Sequence, residues 1–341
     1  MLEAALQRLW YERSLPATLC AVILLPMSWI FVFISAARRG LFRVGVFNSE
    51  RVSKPVIVVG NISVGGTGKT PLVIWLTQAL RERGFVPGVI TRGYGGSSKS
   101  WPCDVAPDSD AVIVGDEAVL LSERTGAIVV AGPNRVRAAQ RAIERGATVI
   151  ISDDGLQHYR LARDFEIVVV DAARRFGNGF RLPAGPLRES PRRLATVDAV
   201  VSNLRDEQSY AAGDFGHRLE IFMHTRLSDA RALVSDEHRS LQAFASQRVH
   251  AIAGIGNPQA FFQALRAQGL QLDARALNDH ASLSAADLSF QDDAPIVMTE
   301  KDAVKCHAFA DARCWAVALE VELNDGAALL NAFCRKLDRA D

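Results

Sequence analysis

The chain has 341 residues, enough for two domains with a core in each. Almost half are hydrophobic (49%) and the charges cancel to +1, so there is neither the basic excess of a nucleic-acid binder nor an acidic tail. Five scattered cysteines with no C-x-x-C pair argue against a disulfide framework and a zinc site, and point to a reducing compartment.

Residues 15–37 carry no charge, a run close to the ~20 residues needed to cross a bilayer. Arg38 and Arg39 end it, and Arg43, Arg51 and Lys54 follow. The run starts late and its positive flank comes after it, which is the wrong layout for a cleaved signal peptide. A buried core helix is one reading. The preferred one is a membrane anchor, spanning or interfacial, with Arg38 and Arg39 at the headgroups and the body on the cytoplasmic side.

Residues 56–60 are apolar and mostly β-branched, and a glycine-rich stretch and an apolar helical pattern follow. This predicts a buried strand, a phosphate-cradling loop and a helix opening. The predicted cradle is Ser63, Val64, Gly65, Gly66, Thr67, Gly68, Lys69 and Thr70, of the form S-x-x-x-x-G-K-T. Its backbone N–H groups and the helix N-terminus would face an anion. Lys69 would reach the β- and γ-phosphates of a nucleotide, and the Thr70 hydroxyl would help hold Mg²⁺. A helix over 71–83 and a strand over 86–91 complete a β-α-β unit, hence a parallel sheet. Arg92 and Tyr94 then stand at a strand's carboxyl end, where ligands of open α/β sheets gather. Residues 97–110 read as a surface loop.

Asp116 and Glu117 precede a helical pattern over 118–124, where acids also serve as caps. A strand over 127–131, a helix over 133–145 and a strand over 148–152 follow. The last of these ends in Asp153 and Asp154, and a carboxylate at such a place can hold Mg²⁺ directly or through water. Strands are predicted at 166–171 and 198–202. Between them, 176–191 is too rich in Gly and Pro for regular structure, and a long irregular loop in a compact domain is often functional. From about Asn203 a second α/β pattern begins, with strands at 217–224, 248–254, 295–299 and 314–323 and helices at 259–268 and 327–337. The predicted organisation is an anchoring segment at 1–40, a P-loop nucleotide-binding domain with a parallel sheet at 41–202, and a smaller α/β domain at 203–341 that closes the active-site cleft.

The phosphate loop and the acids at 153–154 together predict a nucleotide–Mg²⁺ site for phosphoryl transfer or hydrolysis. A kinase also needs a group to orient or deprotonate its acceptor, for which Asp116 and His280 are the candidates.

Seven motifs carry a family resemblance: SVGGTGKTP from Ser63, RGYG from Arg92, GDE from Gly115, DDGLQH from Asp153, LPAGPLRE from Leu182, NDH from Asn278 and TEKDAVK from Thr299. In these, and in its N-terminal apolar segment, the chain resembles tetraacyldisaccharide 4'-kinase, the lipid A 4'-kinase of Gram-negative bacteria. The resemblance implies transfer from ATP to the 4'-hydroxyl of an acylated glucosamine disaccharide 1-phosphate at the inner membrane, yielding lipid IVA. It implies Lys69 and Thr70 at the phosphates, Asp116 as base paired with His280, and Asp153, Asp154 and Glu189 serving metal and phosphates. Arg92, Tyr94, Glu117, Gln157, His158 and Arg188 lie in the same motifs and are the implied acceptor-binding residues. An acylated acceptor also gives the apolar run a purpose, because each buried CH₂ is worth about 0.8 kcal/mol and the lipid stays in the bilayer.

The rival reading is a membrane-associated P-loop ATPase switch with a deviant loop, which carries a lysine near the loop's start; Val64 occupies that place here. A GTPase needs an N-K-x-D-like motif, and in TEKD at 299–302 the Asn is Glu300 and the spacing is one residue short.

Overall fold

The structure, a computed structural model, describes residues 2–12, 14–204, 215–235, 237–278, 281 and 283–339, with side chains from residue 6 onward. Two helices open it, α1 (Leu2–Tyr11) and the 29-residue α2 (Leu15–Arg43). Ser14 caps α2 by accepting from Ala17 N, and Pro16 sits in the first turn, where its missing N–H costs nothing. In its most apolar stretch, mean hydropathy is 2.4 and only 11% of residues are buried. Ile23, Trp29, Ile30 and Phe33 face outward, whereas Ala21 and Ser28 are buried against the body.

The strands β1 (Val56–Gly60), β2 (Pro87–Thr91), β3 (Cys103–Val105), β4 (Ile128–Ala131), β5 (Val149–Asp153), β6 (Phe165–Asp171), β7 (Ala199–Leu204), β8 (Glu220–Ala232), β9 (His238–Arg239), β10 (Arg248–Ala253), β11 (Gln271–Ala276), β12 (Ile296–Thr299) and β13 (Cys314–Leu323) form one sheet. Their order is β11-β10-β12-β13-β8-β7-β6-β1-β5-β2-β4-β3, with β9 on β8. β1 lies parallel between β5 and β6, with Val59 opposite both Asp153 and Ile167. Every residue of β1 is buried because helices cover both faces. Ile57 and Val59 pack with α3 (Lys69–Glu82) and α5 (Asp116–Thr125), which follows the one-turn α4 (Ala111–Val114); Val56 and Val58 pack with α6 (Arg135–Glu144).

The long β8 joins the two halves. It runs parallel to β7 from Glu220 to His224 and antiparallel to β13 from Met223 to Ala232. Residue 203, where the sequence predicts the change of unit, lies in β7. The second half has its own cores on the two sheet faces. Phe244, Phe262 and Trp315 lie on one with α7 (Pro258–Ala267), and Met298, Cys306 and Cys314 on the other beside α8 (Glu300–Ala303). The last helix, α9 (Gly326–Leu337), returns to the first half, where Leu329, Leu330 and Phe333 join the cluster of α3 and Phe333 meets Phe165 edge-on at 5.8 Å.

Two local expectations change. The stretch 97–110 includes the edge strand β3, which pairs antiparallel with β4; three residues are too few to show a period. The ribbon expected at 217–224 is displaced into the 13-residue β8, whose far half carries polar residues on a half-exposed face.

Candidate active site

The phosphate loop joins β1 to α3. Gly65 and Gly68 take φ of +110° and +94°, and a Cβ on Gly68 would sit 2.5 Å from Asn203 Nδ2, so glycine is required there twice over. Buried side chains hold the loop open. Asn61 Nδ2 donates to Thr67 Oγ1 at 3.3 Å, and Asn203 Nδ2, at the end of β7, donates to Thr67 O at 3.0 Å. Thr225 of β8 fixes Asn203 by donating to its Oδ1 at 2.8 Å. The irregular 176–191 segment braces the other side: Val64 N donates to Pro186 O, and Arg188 N to Ile62 O.

Lys69 and Thr70 open α3, and Lys69 Nζ lies 3.6 Å from Asp154 Oδ1. Asp154 has the left-handed φ of +48° and also accepts from Arg188 Nη1 at 3.2 Å. Burial works against its charge, but Lys69 and Arg188 outweigh that and hold its pKa below the usual carboxylate value. Asp153, one residue earlier, is buried at the end of β5, and its Oδ1 has no hydrogen-bond partner. Burial, helped by Glu117, pushes its pKa up to about 7 against the pull of Lys69. An orphaned, buried carboxylate oxygen beside a phosphate loop is the donor a hard cation needs. Arg135, the first residue of α6, lies beneath: Nη2 donates to Asp153 O at 2.9 Å and Nη1 to Gly132 O at 3.1 Å, while burial lowers its pKa to about 10.

Asp116 is the first residue of α5. Gly115 before it has φ +94° and packs on the RGYG turn, where an added Cβ would sit 2.6 Å from Tyr94 O. Asp116 is buried, and its Oδ1 accepts from Glu117 N at 2.8 Å. Its Oδ2 is 3.5 Å from Lys305 Nζ, and Lys305 is 3.1 Å from Asp302 Oδ1. Asp302 is fully buried and accepts from Thr299 Oγ1 at 2.6 Å and Gly254 N at 2.9 Å. TEKDAVK thus folds as an N-capped turn pressed on α5, and Glu117–Lys301 (3.2 Å) and Arg124–Glu300 (2.7 Å) complete the contact. Asp279 and His280 lie outside the described residues; the carbonyl of Asn278 just before them lies by Gly254.

Glu189 is buried beside Gln157 and Tyr159. Its oxygens accept from Gln157 Nε2 at 2.9 Å and Tyr159 Oη at 3.1 Å, with Arg39 and Arg193 each at 3.5 Å. Among the described residues no three metal-ligating side chains converge, so Glu189 does not join Asp153 and Asp154 in one cluster. His158 has a buried Nε2 with no partner, and burial with Arg135, Arg163, Arg38 and Arg92 around it pushes its pKa down to about 4. A histidine neutral in the fold but free to protonate when unfolded costs stability as pH falls from its ordinary 6.5 toward 4. In His158→Gln, the fall in Tm between pH 7 and pH 5 is expected to shrink by about 2 °C or more; melts at both values check it, and an unchanged fall contradicts the shift.

These groups line one cleft of about 1810 Å³, with Lys69, Thr70, Arg92, Tyr94, Glu117, Asp153, Asp154, Gln157, His158, Arg188 and Glu189 in its wall. Typical small-ligand pockets hold roughly 300–1,000 Å³, so a nucleotide leaves room for a large second substrate. Asp116 stands just behind Glu117 and is not itself in the wall. Arg135, Asn203 and Lys305 escaped the sequence reading. Arg135 left a trace, because an arginine in a helix's first turn opposes the dipole and asks for another reason to be there.

The family model described as Tetraacyldisaccharide-1-P 4'-kinase matches residues 20–338. The chain belongs to this family. Among curated proteins, the Tetraacyldisaccharide 4'-kinase of Nitrosococcus oceani is 46% identical over 317 residues, covering 93% of this chain and 90% of that one. The protein of the same name from Pasteurella multocida is 47% identical over 318 residues, covering 92% and 93%. Among solved structures, LpxK from Aquifex aeolicus in complex with ATP superposes with a TM-score of 0.79 at 26% identity, covering 93% of this chain and 99% of that one. The family is the one that the seven motifs imply, and the α/β fold is shared with the Aquifex aeolicus structure.

Proposed function

We propose that this kinase-family chain transfers the γ-phosphoryl group of ATP to the 4'-hydroxyl of a tetraacylated glucosamine disaccharide 1-phosphate, giving lipid IVA. The observation that carries the reading is a single cleft walled at one end by a phosphate loop and along one side by a lipid-facing helix. In this reading Lys69 and Arg188 neutralise the phosphate oxygens, tasks they already perform for Asp154. Thr70, Asp153 and Asp154 would hold Mg²⁺, which supplies charge neutralisation at the phosphates. The orphaned Asp153 oxygen fits that ion. Glu189, with both oxygens engaged, instead positions Gln157 and Arg39.

Asp116 takes the proton of the 4'-hydroxyl, as a base paired with His280. Lys305, anchored on Asp302, holds the Asp116 carboxylate in place, so Lys305 acts as a positioning residue. Arg92, Tyr94, Glu117, Gln157 and His158 line the acceptor's path, and residues 203–341 supply the opposite wall. The test is the site of the new phosphate: ³¹P–¹H correlation on the product places it on C4' if the reading holds, and on another hydroxyl if it fails.

The body works at the cytoplasmic face of the inner membrane, with residues 1–40 as the anchor. An interfacial seat for α2 is favoured over a spanning one. Ser28, halfway along it, donates to Arg181 O at 2.9 Å and accepts from Ala184 N at 3.1 Å. A spanning helix would therefore drag the irregular 176–191 backbone into hydrocarbon, where unpaired polar groups are costly. Deleting residues before Arg38 is expected to release the protein from membranes into a high-salt wash that leaves the full chain bound. Equal retention of both would show that the body alone is the anchor.

A further inference from the structure

The anchor helix α2 buries a hydroxyl near its middle. Among its described residues only Ala21 and Ser28 are buried, and Ser28 is 2% exposed. A buried hydroxyl loses water and needs partners in return. Ser28 finds them off the helix: its Oγ donates to Arg181 O at 2.9 Å and accepts from Ala184 N at 3.1 Å. The helix α1 grips the same segment. Trp10 Nε1 donates to Pro183 O at 3.0 Å, and Trp10 O accepts from Asn178 N at 2.9 Å. Trp10 is buried, and a Cβ on Gly177 would sit 2.7 Å from its carbonyl oxygen, so helix and segment are in close contact. Holding a bilayer needs only an apolar surface, and these polar contacts add nothing to it.

The gripped segment is the brace of the phosphate loop. Within it, Asn178 Nδ2 donates to Ala184 O at 2.9 Å, Leu182 N to Leu187 O at 3.0 Å and Leu187 N to Phe180 O at 3.2 Å. Gly185 is so enclosed that an added Cβ would lie 2.3 Å from Asn178 Oδ1, and Ala184 and Leu187 are fully buried. A close-packed, internally bonded unit passes a displacement on rather than absorbing it. On its other edge Pro186 O accepts from Val64 N at 2.8 Å, Arg188 N donates to Ile62 O at 2.7 Å, and Leu187 bridges to Ser63. The helices hold residues 181, 183 and 184, and residues 186–188 hold the loop, so only Gly185 separates the two contacts.

We propose that Trp10 and Ser28 are positioning residues for the nucleotide: through the brace, the docking of α1 and α2 sets the opening of the phosphate loop. This deepens the kinase reading and rests on the loop's holding ATP. Ser28 does not line the cleft, so its effect on the nucleotide passes through the brace. A chain whose anchor helices have left the body then holds ATP poorly, which keeps ATP from being hydrolysed away from the lipid.

The test uses the full-length protein in neutral detergent and measures the Kd of a non-hydrolysable ATP analogue by calorimetry, with Mg²⁺ and without any lipid acceptor. Ser28→Ala is expected to weaken binding by about threefold to tenfold, the range of one net hydrogen bond. Ser28→Thr, which keeps the hydroxyl, should recover most of it. Trp10→Phe keeps an aromatic ring and loses the indole N–H; it should weaken binding by a similar factor, and gives the reading if Ser28→Ala folds poorly. In turnover the Ser28→Ala loss is expected in the KM for ATP, with the KM for the lipid changed by less than about twofold. The control is Trp29→Ala, on the outward face of α2, which should weaken membrane retention and leave the analogue's Kd unchanged. Wild-type Kd values in Ser28→Ala and Trp10→Phe overturn the coupling. So does an equal loss in Trp29→Ala, since the apolar seat rather than the brace contact would then be the cause. A wild type that binds no analogue overturns the phosphate-loop assignment itself.

Discussion

Lys69→Ala is expected to lower phosphoryl transfer by about 10³-fold or more, the scale seen when a single cation is removed from a phosphoryl-transfer site. Lys69 is the first residue of α3, so its charge and the helix N-terminus would act on the same bound anion. The phosphate loop has no other lysine, and Arg188, the second cation on Asp154, belongs to the 176–191 brace segment. The fold should survive, because the loop's shape depends on Asn61, Asn203 and the 176–191 brace rather than on the lysine side chain. Activity within tenfold of wild type, in a protein with an unchanged melt, would remove Lys69 from the site.

Asp116→Ala should lower kcat by about 10²- to 10⁴-fold, the usual worth of a general base, while the KM for ATP changes by less than about threefold. The contrast follows from geometry. Asp116 faces Lys305 and Asp302 across the α5–α8 contact, whereas the phosphate loop faces Asp153, Asp154 and Arg188. Removing the carboxylate leaves Lys305 buried with Asp302 alone, which limits the structural damage. A rise in ATP KM matching the fall in kcat/KM, with kcat intact, would move Asp116 to the nucleotide's side of the cleft.

Much of the first half was legible because its signals are local. A buried strand, a glycine loop and a helix opening succeed one another over about 20 residues, and β1, the loop and α3 appear where the pattern puts them. Asp153 could be found as the acid that ends an apolar strand. What the pattern could not show is the company each residue keeps. Asp302 and Lys305 appear in the sequence only within the TEKDAVK stretch, and only the docking of α8 on α5 brings them to Asp116, 186 and 189 positions earlier in the chain. Arg135 reads as a helix residue until β5 brings Asp153 against it. Glu189 reads as one acid among several, but Tyr159, Gln157 and the end of α2 converge on it, and that tertiary contact ties it to α2. The apolar run at 15–37 fixed a length and a composition; its seat on the body, through Ser28, came from a hydrogen bond with residues more than 150 positions away.

The most direct test of the central claim is transfer of label from γ-labelled ATP to detergent-dispersed tetraacyldisaccharide 1-phosphate, with and without Mg²⁺. The site predicts a labelled lipid that forms only with the cation present. Steady ATP hydrolysis with no label in the lipid would contradict it, and would leave the phosphate loop serving a membrane-bound ATPase switch.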